Sequence, residues 1–273
     1  MPGSSASLRT GHAPRLGERH RPAPLGIVHG VPESDVPPVS GLPKRPVDAV
    51  LLDFHGTIAQ VEDPVRWVTQ AAVACGVTLD RGRATVLADR LTTAGRAGGP
   101  KPHRVPPHLA EVWADRDLYA HAHRATYTGL AETVAAGTGI EGLADALYGR
   151  LLLADGWSLY ADTLDTLKAL QAAQVPVAVV SNIGFDLRLL AADLGFADLV
   201  AEFVLSFEVG RCKPDRAIFE KACAMLRADP ERVLMVGDTP ADAGAAAAGC
   251  SVLVLPESEP GRNHGLSAIL RLL

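Results

Sequence analysis

Five polar side chains each follow a short apolar run of the sequence, at the point where a strand would end. They are Asp53, Ser181, Lys213, Asp238 and Asp242. Taken singly, each has an ordinary structural explanation: a helix cap for a serine or an aspartate, and a solvated surface position for a lysine. The carboxyl ends of parallel strands meet at one edge of a sheet, however, and there all five groups would converge.

The composition of this set is suited to the transfer of a phosphoryl group. Asp53 and Asp238 would face each other across adjacent strands, and two carboxylates that close repel unless a cation lies between them. Oxygen ligands with open positions suit Mg²⁺, which binds one or two carboxylates together with a substrate phosphate. Ser181, the amide groups after it and Lys213 would supply donors for the anion, and Asp53 would be the nucleophile that forms an aspartyl-phosphate.

The elements that must position these groups are five predicted strands of a parallel sheet. Short apolar runs alternate with helical patterns after residue 156, which is typical of βαβ units. We therefore predict an α/β fold with a Rossmann-like parallel sheet and helices on both faces. The five runs are Val47–Leu52, Pro176–Val180, Phe203–Leu205, Arg232–Val236 and Ser251–Leu255.

An all-helical segment of about ninety residues, Pro64–Leu153, separates the first strand from the second. Asp63 and Pro64 are typical of a helix start, and Ile58–Asp63 is predicted to be a loop. We predict a core formed by residues 47–60 and 156–273, with residues 61–155 inserted as an all-α cap domain.

Residues 1–46 differ in composition from the rest of the chain. They hold nine of the twenty prolines and no Phe, Trp or Tyr, so they bury too little apolar surface to offset the entropy of ordering. We predict a disordered tail there, without the apolar core of a secretory signal.

The overall composition limits the possible partners. The net charge of −5 lacks the excess of basic residues that is typical of nucleic-acid-binding proteins. No apolar run approaches the roughly 20 residues that a membrane helix needs. The four cysteines are scattered, which favours reduced thiols and a cytoplasmic location. The oligomeric state and the substrate are not readable from the sequence.

Four motifs resemble, in their order and spacing, those of the haloacid dehalogenase superfamily of hydrolases, and the resemblance covers about residues 47–255. By that resemblance the helical insert corresponds to the family's C1 cap, a lid that selects the substrate. The motifs are Asp53-Phe54-His55-Gly56-Thr57, Ser181-Asn182, Lys213-Pro214 and Gly237-Asp238-Thr239-Pro240-Ala241-Asp242.

The resemblance also implies a role for each site residue. Asp53 is the nucleophile and a metal ligand, and the backbone carbonyl of His55 is a second ligand. Mg²⁺ is the implied cofactor, bound by Asp238 and supported directly or through water by Asp242. The substrate phosphate is held by a further set of residues: Ser181, Asn182 and Lys213, the last of which also steadies the nucleophile.

One position departs from the family pattern. Its phosphatases carry a second aspartate two residues after the nucleophile, which protonates the leaving group and then activates water, and here that position is His55. An imidazole with an unperturbed pKa near ~6.5 can give and take a proton at neutral pH.

Three functions stay open on this sequence. The first is a Mg²⁺-dependent phosphatase of a small phosphorylated metabolite, with His55 as acid and base. The second is a weak catalyst that binds a phosphorylated ligand or a partner. The third is another hydrolase, such as a dehalogenase, although the presence of both Asp238 and Asp242 argues for a metal.

Three further residues carry smaller expectations. We expect Thr57 to hydrogen-bond near Asp53 and orient it. His121 and His123 lie two apart on a predicted helix and do not share a face, so we expect solvated histidines there rather than a metal pair.

Overall fold

A computed structural model describes the backbone of residues 39–40 and the chain from residue 46 to residue 273. The strands are β1 (Val39–Ser40), β2 (Ala49–Leu52), β3 (Ala59–Val61), β4 (Trp157–Leu159), β5 (Val177–Ser181), β6 (Glu202–Leu205), β7 (Val233–Gly237) and β8 (Ser251–Val254). The helices are α1 (Pro64–Ala74), α2 (Arg81–Ala94), α3 (Ala110–Asp115), α4 (Ala120–Ala135), α5 (Leu143–Arg150), α6 (Thr163–Ala172), α7 (Arg188–Asp193), α8 (Ser206–Val209) and α9 (Arg216–Leu226).

The main sheet has six strands in the order β1-β8-β7-β2-β5-β6. All five strands predicted from the apolar runs are present and pair in parallel, which confirms the predicted parallel sheet. The chain passes from β2 to β5 and β6 on one side of the sheet and then crosses back to β7 and β8 on the other side of β2. The resulting crevice at the carboxyl ends of β2, β5 and β7 is where ligands bind in open α/β sheets.

Both faces of the sheet are covered by helices, as predicted. Alternate residues of β2 point to opposite faces, so Val50 and Leu52 pack with α6 and α7 while Ala49 and Leu51 pack with α9. Every residue of β2 is buried, because a strand covered on both faces is apolar along its whole length.

The edge strand β1 was not predicted. Its two residues pair antiparallel with β8, Val39 opposite Leu253 and Ser40 opposite Val252. They fall inside the segment predicted to be a disordered tail, so that prediction is wrong for this pair. The rest of the predicted tail, residues 1–38 and 41–45, lies outside the described residues.

The insert between the first two parallel strands is helical, from α1 to α5. Asp63 accepts hydrogen bonds from the amides of Val65 and Arg66, and Pro64 occupies the first turn, as the sequence predicted. The helices share a hydrophobic cluster of their own that includes Trp67, Val68, Leu87, Leu91, Leu143 and Leu147. Their status as a separate cap domain stays a prediction.

The two chain crossings between the insert and the sheet form a small ribbon. β3 and β4 pair antiparallel, with Val61 opposite Trp157 and Ala59 opposite Leu159. The predicted loop at 58–63 therefore contains a strand, because its partner lies about a hundred residues further along and leaves no local signal. Among the helices of the described part of the chain, none is long and apolar enough to cross a bilayer.

Candidate active site

Asp53 lies at the carboxyl end of β2, where the sheet and the turn after it hold its carboxylate in one orientation. Its amide donates to the carbonyl of Val236 on the adjacent strand, at 2.9 Å. Its Oδ1 accepts from the amide of Phe54 and from the Nζ of Lys213, both at 2.7 Å. Only 7% of Asp53 is exposed, and the bonds to Oδ1 leave Oδ2 as its free oxygen.

Lys213 bridges two buried carboxylates. Besides Asp53, its Nζ contacts Oδ1 of Asp242 at 2.6 Å. The other oxygen of Asp242 accepts from the amide of Thr239 at 2.9 Å and from its hydroxyl at 2.6 Å. Both oxygens of the fully buried Asp242 are therefore engaged, and this residue secures the lysine and the turn after β7.

Asp238 follows β7 and lies against the turn after the nucleophile. A Cβ added at Gly56 would come within 2.1 Å of Oδ2 of Asp238, and Gly56 has a φ of +81°, so glycine is required for two reasons. The hydroxyl of Thr57 donates to Oδ1 of Asp238 at 3.4 Å. Thr57 was expected to orient Asp53, and this expectation is wrong, because β7 lies beside β2 and brings Asp238 within its reach.

Ser181 ends β5 and Asn182 follows it, on the other side of Asp53 from β7. The Asn182 side chain donates to the carbonyl of Lys213 at 2.9 Å and accepts from its amide at 2.7 Å. This bidentate contact joins the segment after β5 to the lysine. Only 3% of Ser181 is exposed, and within the part of the chain that the structure describes its hydroxyl makes no hydrogen bond.

Burial and mutual repulsion shape the electrostatics of these groups. Burial raises the pKa of Asp53 to about 7, Lys213 opposes this rise, and Asp242 and Asp238 add to it. The pKa of Asp238 is raised by burial and by Asp242. Burial works against the charge of Lys213, but Asp53 and Asp242 outweigh it and raise the lysine pKa. Negative charge thus exceeds positive charge in the site, which favours a bound cation.

The donor set fits a hard divalent cation such as Mg²⁺. Asp53, Asp238 and Asp242 each have a carboxylate oxygen within 4.8 Å of the others. Oδ2 of Asp53 and Oδ2 of Asp238 accept no hydrogen bond within the described residues, whereas both oxygens of Asp242 do. Two free carboxylate oxygens match the one or two carboxylates by which proteins bind Mg²⁺, and Asp242 would support the site indirectly.

The His55 side chain turns toward the helical insert. Its Nε2 lies 2.5 Å from Oε1 of Gln60, and its ring packs edge-on against Trp157 at 6.0 Å between centroids. Gly98, from the loop after α2, has its Cα against the ring, since a Cβ there would lie 2.8 Å from Nε2. Burial lowers the pKa of His55, so the imidazole is neutral at pH 7.

His123 was expected to be solvated, and this is wrong, whereas His121 is exposed as expected. Only 3% of His123 is exposed, its Nδ1 lies 2.9 Å from the Tyr148 hydroxyl, and its ring packs against Tyr127 and Phe185. Burial, with a smaller effect of Arg116, lowers its pKa to about 4. The sequence pattern could not show this, because Tyr148 and Phe185 come from other parts of the chain.

A buried ion cluster that the sequence did not predict holds the two crossings into the insert. Arg150 makes a bidentate contact with Glu62, from Nε to Oε1 at 2.7 Å and from Nη2 to Oε2 at 2.9 Å. Its Nη1 contacts Asp155 at 2.8 Å. Glu62 follows β3 and Asp155 precedes β4, so Arg150 connects the end of α5 to both crossings.

A histidine near the C-terminus, His264, contacts the turn that follows Asp53. The sequence did not predict this contact. The His264 ring is buried and stacks on Tyr160 at 4.1 Å. Its Nδ1 lies 3.3 Å from the Thr57 carbonyl and its Nε2 lies 2.8 Å from the Pro256 carbonyl.

The geometry is that of an open α/β sheet with a cluster of carboxylates and a lysine at the carboxyl end of its central strand. The chain belongs to the haloacid dehalogenase-like hydrolases, because the model of that family matches residues 47–249. The resemblance predicted from the four motifs is thereby confirmed, while the roles of the individual site residues stay predictions.

Similar proteins include phosphatases and dehalogenases. A phosphoglycolate phosphatase of Chromobacterium violaceum is 32% identical over 105 residues, or 38% of this chain and 47% of that protein. The chain thus spans about half the length of this relative. A dehalogenase crystal structure is 21% identical with a TM-score of 0.57, and a HAD phosphatase of Thermococcus onnurineus is 18% identical with a TM-score of 0.52. Each structural match covers 83% of this chain and 97% of the other, and shows the fold alone.

Proposed function

We propose that this protein is a Mg²⁺-dependent phosphatase of a small phosphorylated metabolite, acting through an aspartyl-phosphate on Asp53. The observation that carries the proposal is the pair of free carboxylate oxygens of Asp53 and Asp238 beside the buried ammonium group of Lys213. The name of the phosphoglycolate phosphatase relative supports the phosphatase class. The four cysteines are free thiols, which supports a cytoplasmic location.

Two hydrogen-bond donors on Oδ1 orient the Asp53 carboxylate toward the substrate. The Phe54 amide and Lys213 hold Oδ1 and so fix the orientation of the carboxylate, which bonds to phosphorus while the bond to the leaving oxygen breaks. Lys213 and the Ser181 hydroxyl provide positive charge and a donor for the phosphoryl oxygens. Phosphoryl transfer requires mainly such positioning and charge neutralisation.

Mg²⁺, when bound, neutralises the charge that accumulates on the transferred group. Asp53, Asp238 and the backbone carbonyl of His55 would hold it, with Asp242 as support. The Asn182 side chain holds Lys213 by hydrogen bonds to the backbone of that lysine. The backbone N–H of Asn182 would donate to the phosphate.

His55 occupies the acid and base position, with Gln60 holding its ring through Nε2. In this role the protonated ring, the minor form at pH 7 because burial lowers its pKa, gives a proton to the leaving oxygen; the neutral ring later takes one from the water that hydrolyses the aspartyl-phosphate. The proton thus returns to the imidazole, and the products are the alcohol and inorganic phosphate.

The first experiment is hydrolysis of an aryl phosphate by the wild type with Mg²⁺ and with EDTA. An exposed aspartate in α2 offers a matched control. We expect a Mg²⁺-dependent rate that falls at least ~10³-fold in Asp53→Asn and is unchanged in Asp89→Asn, since the nucleophile is lost only in the first. Full activity in EDTA, or in Asp53→Asn, would rule the mechanism out. Turnover of a 2-haloacid without phosphatase activity would favour a dehalogenase.

The role of His55 is tested by changing the leaving group. An aryl alcohol leaves without much help, whereas an alkyl alcohol needs a proton from an acid. We expect His55→Gln to slow an alkyl phosphate about 10²-fold and an aryl phosphate much less. Equal losses on both substrates would show that His55 does not protonate the leaving group. An inactive wild type with an active His55→Asp would indicate a protein that binds its ligand without turnover.

A further inference from the structure

A fully buried serine joins the helical insert to the segment that follows Ser181. Ser206 begins α8, directly after β6, and has no exposed surface. Its hydroxyl lies 2.5 Å from the carbonyl of Asp117, which is in the connection between α3 and α4 of the insert. The same oxygen accepts from the amide of Ile183 at 2.9 Å, next to Asn182.

The insert and the sheet come into very close contact beside this serine. A Cβ added at Gly184 would lie 2.3 Å from Cβ of His123 and 2.7 Å from the carbonyl of Arg116. Only a glycine permits this approach. The Cys212 thiol also faces the Asp117 carbonyl, at 3.8 Å, and Cys212 immediately precedes Lys213. Ser206 and Cys212 thus receive the Asp117 carbonyl, and Gly184 packs against the adjacent Arg116 carbonyl and His123; these three residues form a socket for the insert.

The Ser206 hydroxyl has one proton and two acceptors within reach. The Asp117 carbonyl is at 2.5 Å and the Ile183 carbonyl at 3.2 Å. With the insert seated, the proton goes to Asp117. If the insert moves away, the buried hydroxyl turns to the Ile183 carbonyl, because an unpaired buried donor is costly.

We propose that Ser206 is a positioning residue that couples seating of the insert to the phosphate-binding segment after β5. The proposal rests on the proposed function, because it assumes that this segment holds the substrate phosphate. The route is short: Ser206 bonds Ile183, the preceding Asn182 grips the backbone of Lys213, and Lys213 contacts the nucleophile. Phosphate bound by the segment after β5 therefore stabilises the contact between Ser206 and the Asp117 carbonyl of the insert. The same contact in turn holds that segment in the conformation that binds phosphate.

The test is amide hydrogen exchange, which needs no turnover. Residues 116–119 report on the insert and residues 183–187 on the segment after β5. We expect Ser206→Ala to speed exchange in both about threefold to tenfold, as for the loss of one buried hydrogen bond. Thr163→Val is the matched control, since it removes a buried hydroxyl that bonds only the Ile58 carbonyl, at 2.9 Å.

A second measurement uses inorganic phosphate with Mg²⁺ as the probe. We expect phosphate to slow exchange at 116–119 in the wild type and in Thr163→Val but not in Ser206→Ala. A purely structural serine would leave this phosphate effect in place. Unchanged exchange at 116–119 in Ser206→Ala, or phosphate protection that persists there, would overturn the proposal.

Gly184→Ala approaches the same socket from the sheet side and keeps the test decisive if Ser206→Ala does not fold. Its added Cβ pushes against the insert, so exchange at 116–119 is expected to rise, and no rise would count against the coupling. Failure of the proposed function is a separate result, seen as an absence of aryl phosphate hydrolysis by the wild type.

Discussion

Replacing Lys213 by methionine tests the electrostatic balance of the site. Nζ lies 2.7 Å from Asp53 and 2.6 Å from Asp242, and all three residues are buried. At an effective dielectric constant of ~20, each contact is worth about 6 kcal/mol of gross attraction. Removing the desolvation cost of the ammonium group offsets much of this. For a buried pair that loses one partner, the expected net loss is about 3–5 kcal/mol.

The loss depends on pH in a direction that follows from the pKa of Asp53. Burial already raises this pKa to about 7 with the lysine present, and removing the lysine raises it further. A carboxyl whose folded pKa lies above its unfolded value of 3.8 favours the folded state at low pH, and the advantage is lost as pH rises through the folded pKa. The deficit of Lys213→Met should therefore be nearly constant below ~pH 6 and grow as the pH rises above ~pH 7, where Asp53 is ionised in the wild type but still protonated in the variant.

The assay is urea and thermal unfolding in EDTA at several pH values. At neutral pH we expect the melting temperature to fall by about 6–20 °C for a protein of this size. Lys221→Met, at an exposed position of α9, is the control and should melt with the wild type. A deficit that is absent, or that stays constant with pH, would refute the idea that the lysine offsets the two carboxylates.

Three other perturbations test other parts of the structure. Gly56→Ala places a Cβ 2.1 Å from Asp238, so we expect a loss of Mg²⁺ affinity of at least ~tenfold by calorimetry and about 1–2 kcal/mol of strain. His123 is buried with a pKa of about 4, below its unfolded value of 6.5. Its contribution to the free energy of unfolding therefore falls as pH drops from ~6.5 to ~4, by about 3 kcal/mol in total. Arg150→Leu leaves the buried Glu62 with the half-exposed Arg66, at 3.3 Å, as an ion partner and should cost up to about 3–5 kcal/mol in urea unfolding.

Each of these predictions has a matched control. Gly76→Ala has the same left-handed backbone with open space around it, so it should keep Mg²⁺ affinity; equal losses would contradict the clash. His123→Gln should abolish the acid sensitivity assigned to that ring, and a slope that survives would place it elsewhere. Arg188→Leu removes exposed ion pairs and should cost less than about 1 kcal/mol, so a loss equal to that of Arg150→Leu would contradict the role of burial.

Local patterns in the sequence were enough to predict the five parallel strands and the convergence of the site. Runs such as 232–236 are apolar throughout because their strands are covered on both faces, and that signal is local. Parallel pairing then aligns the strand ends, so the closeness of Asp53 and Asp238 follows from order and pattern alone. The helix start at Asp63 was equally local.

The pairing of side chains within that site could not be predicted from the sequence and is seen only in the folded structure. Thr57 reaches Asp238, which is 181 positions away in the chain, and Asn182 grips the backbone of Lys213. His123 is buried by aromatic rings from other elements, and Val39 pairs with the far edge of the sheet. These contacts depend on how separate elements pack and where their side chains point, and neither periodicity nor composition along the chain encodes that information.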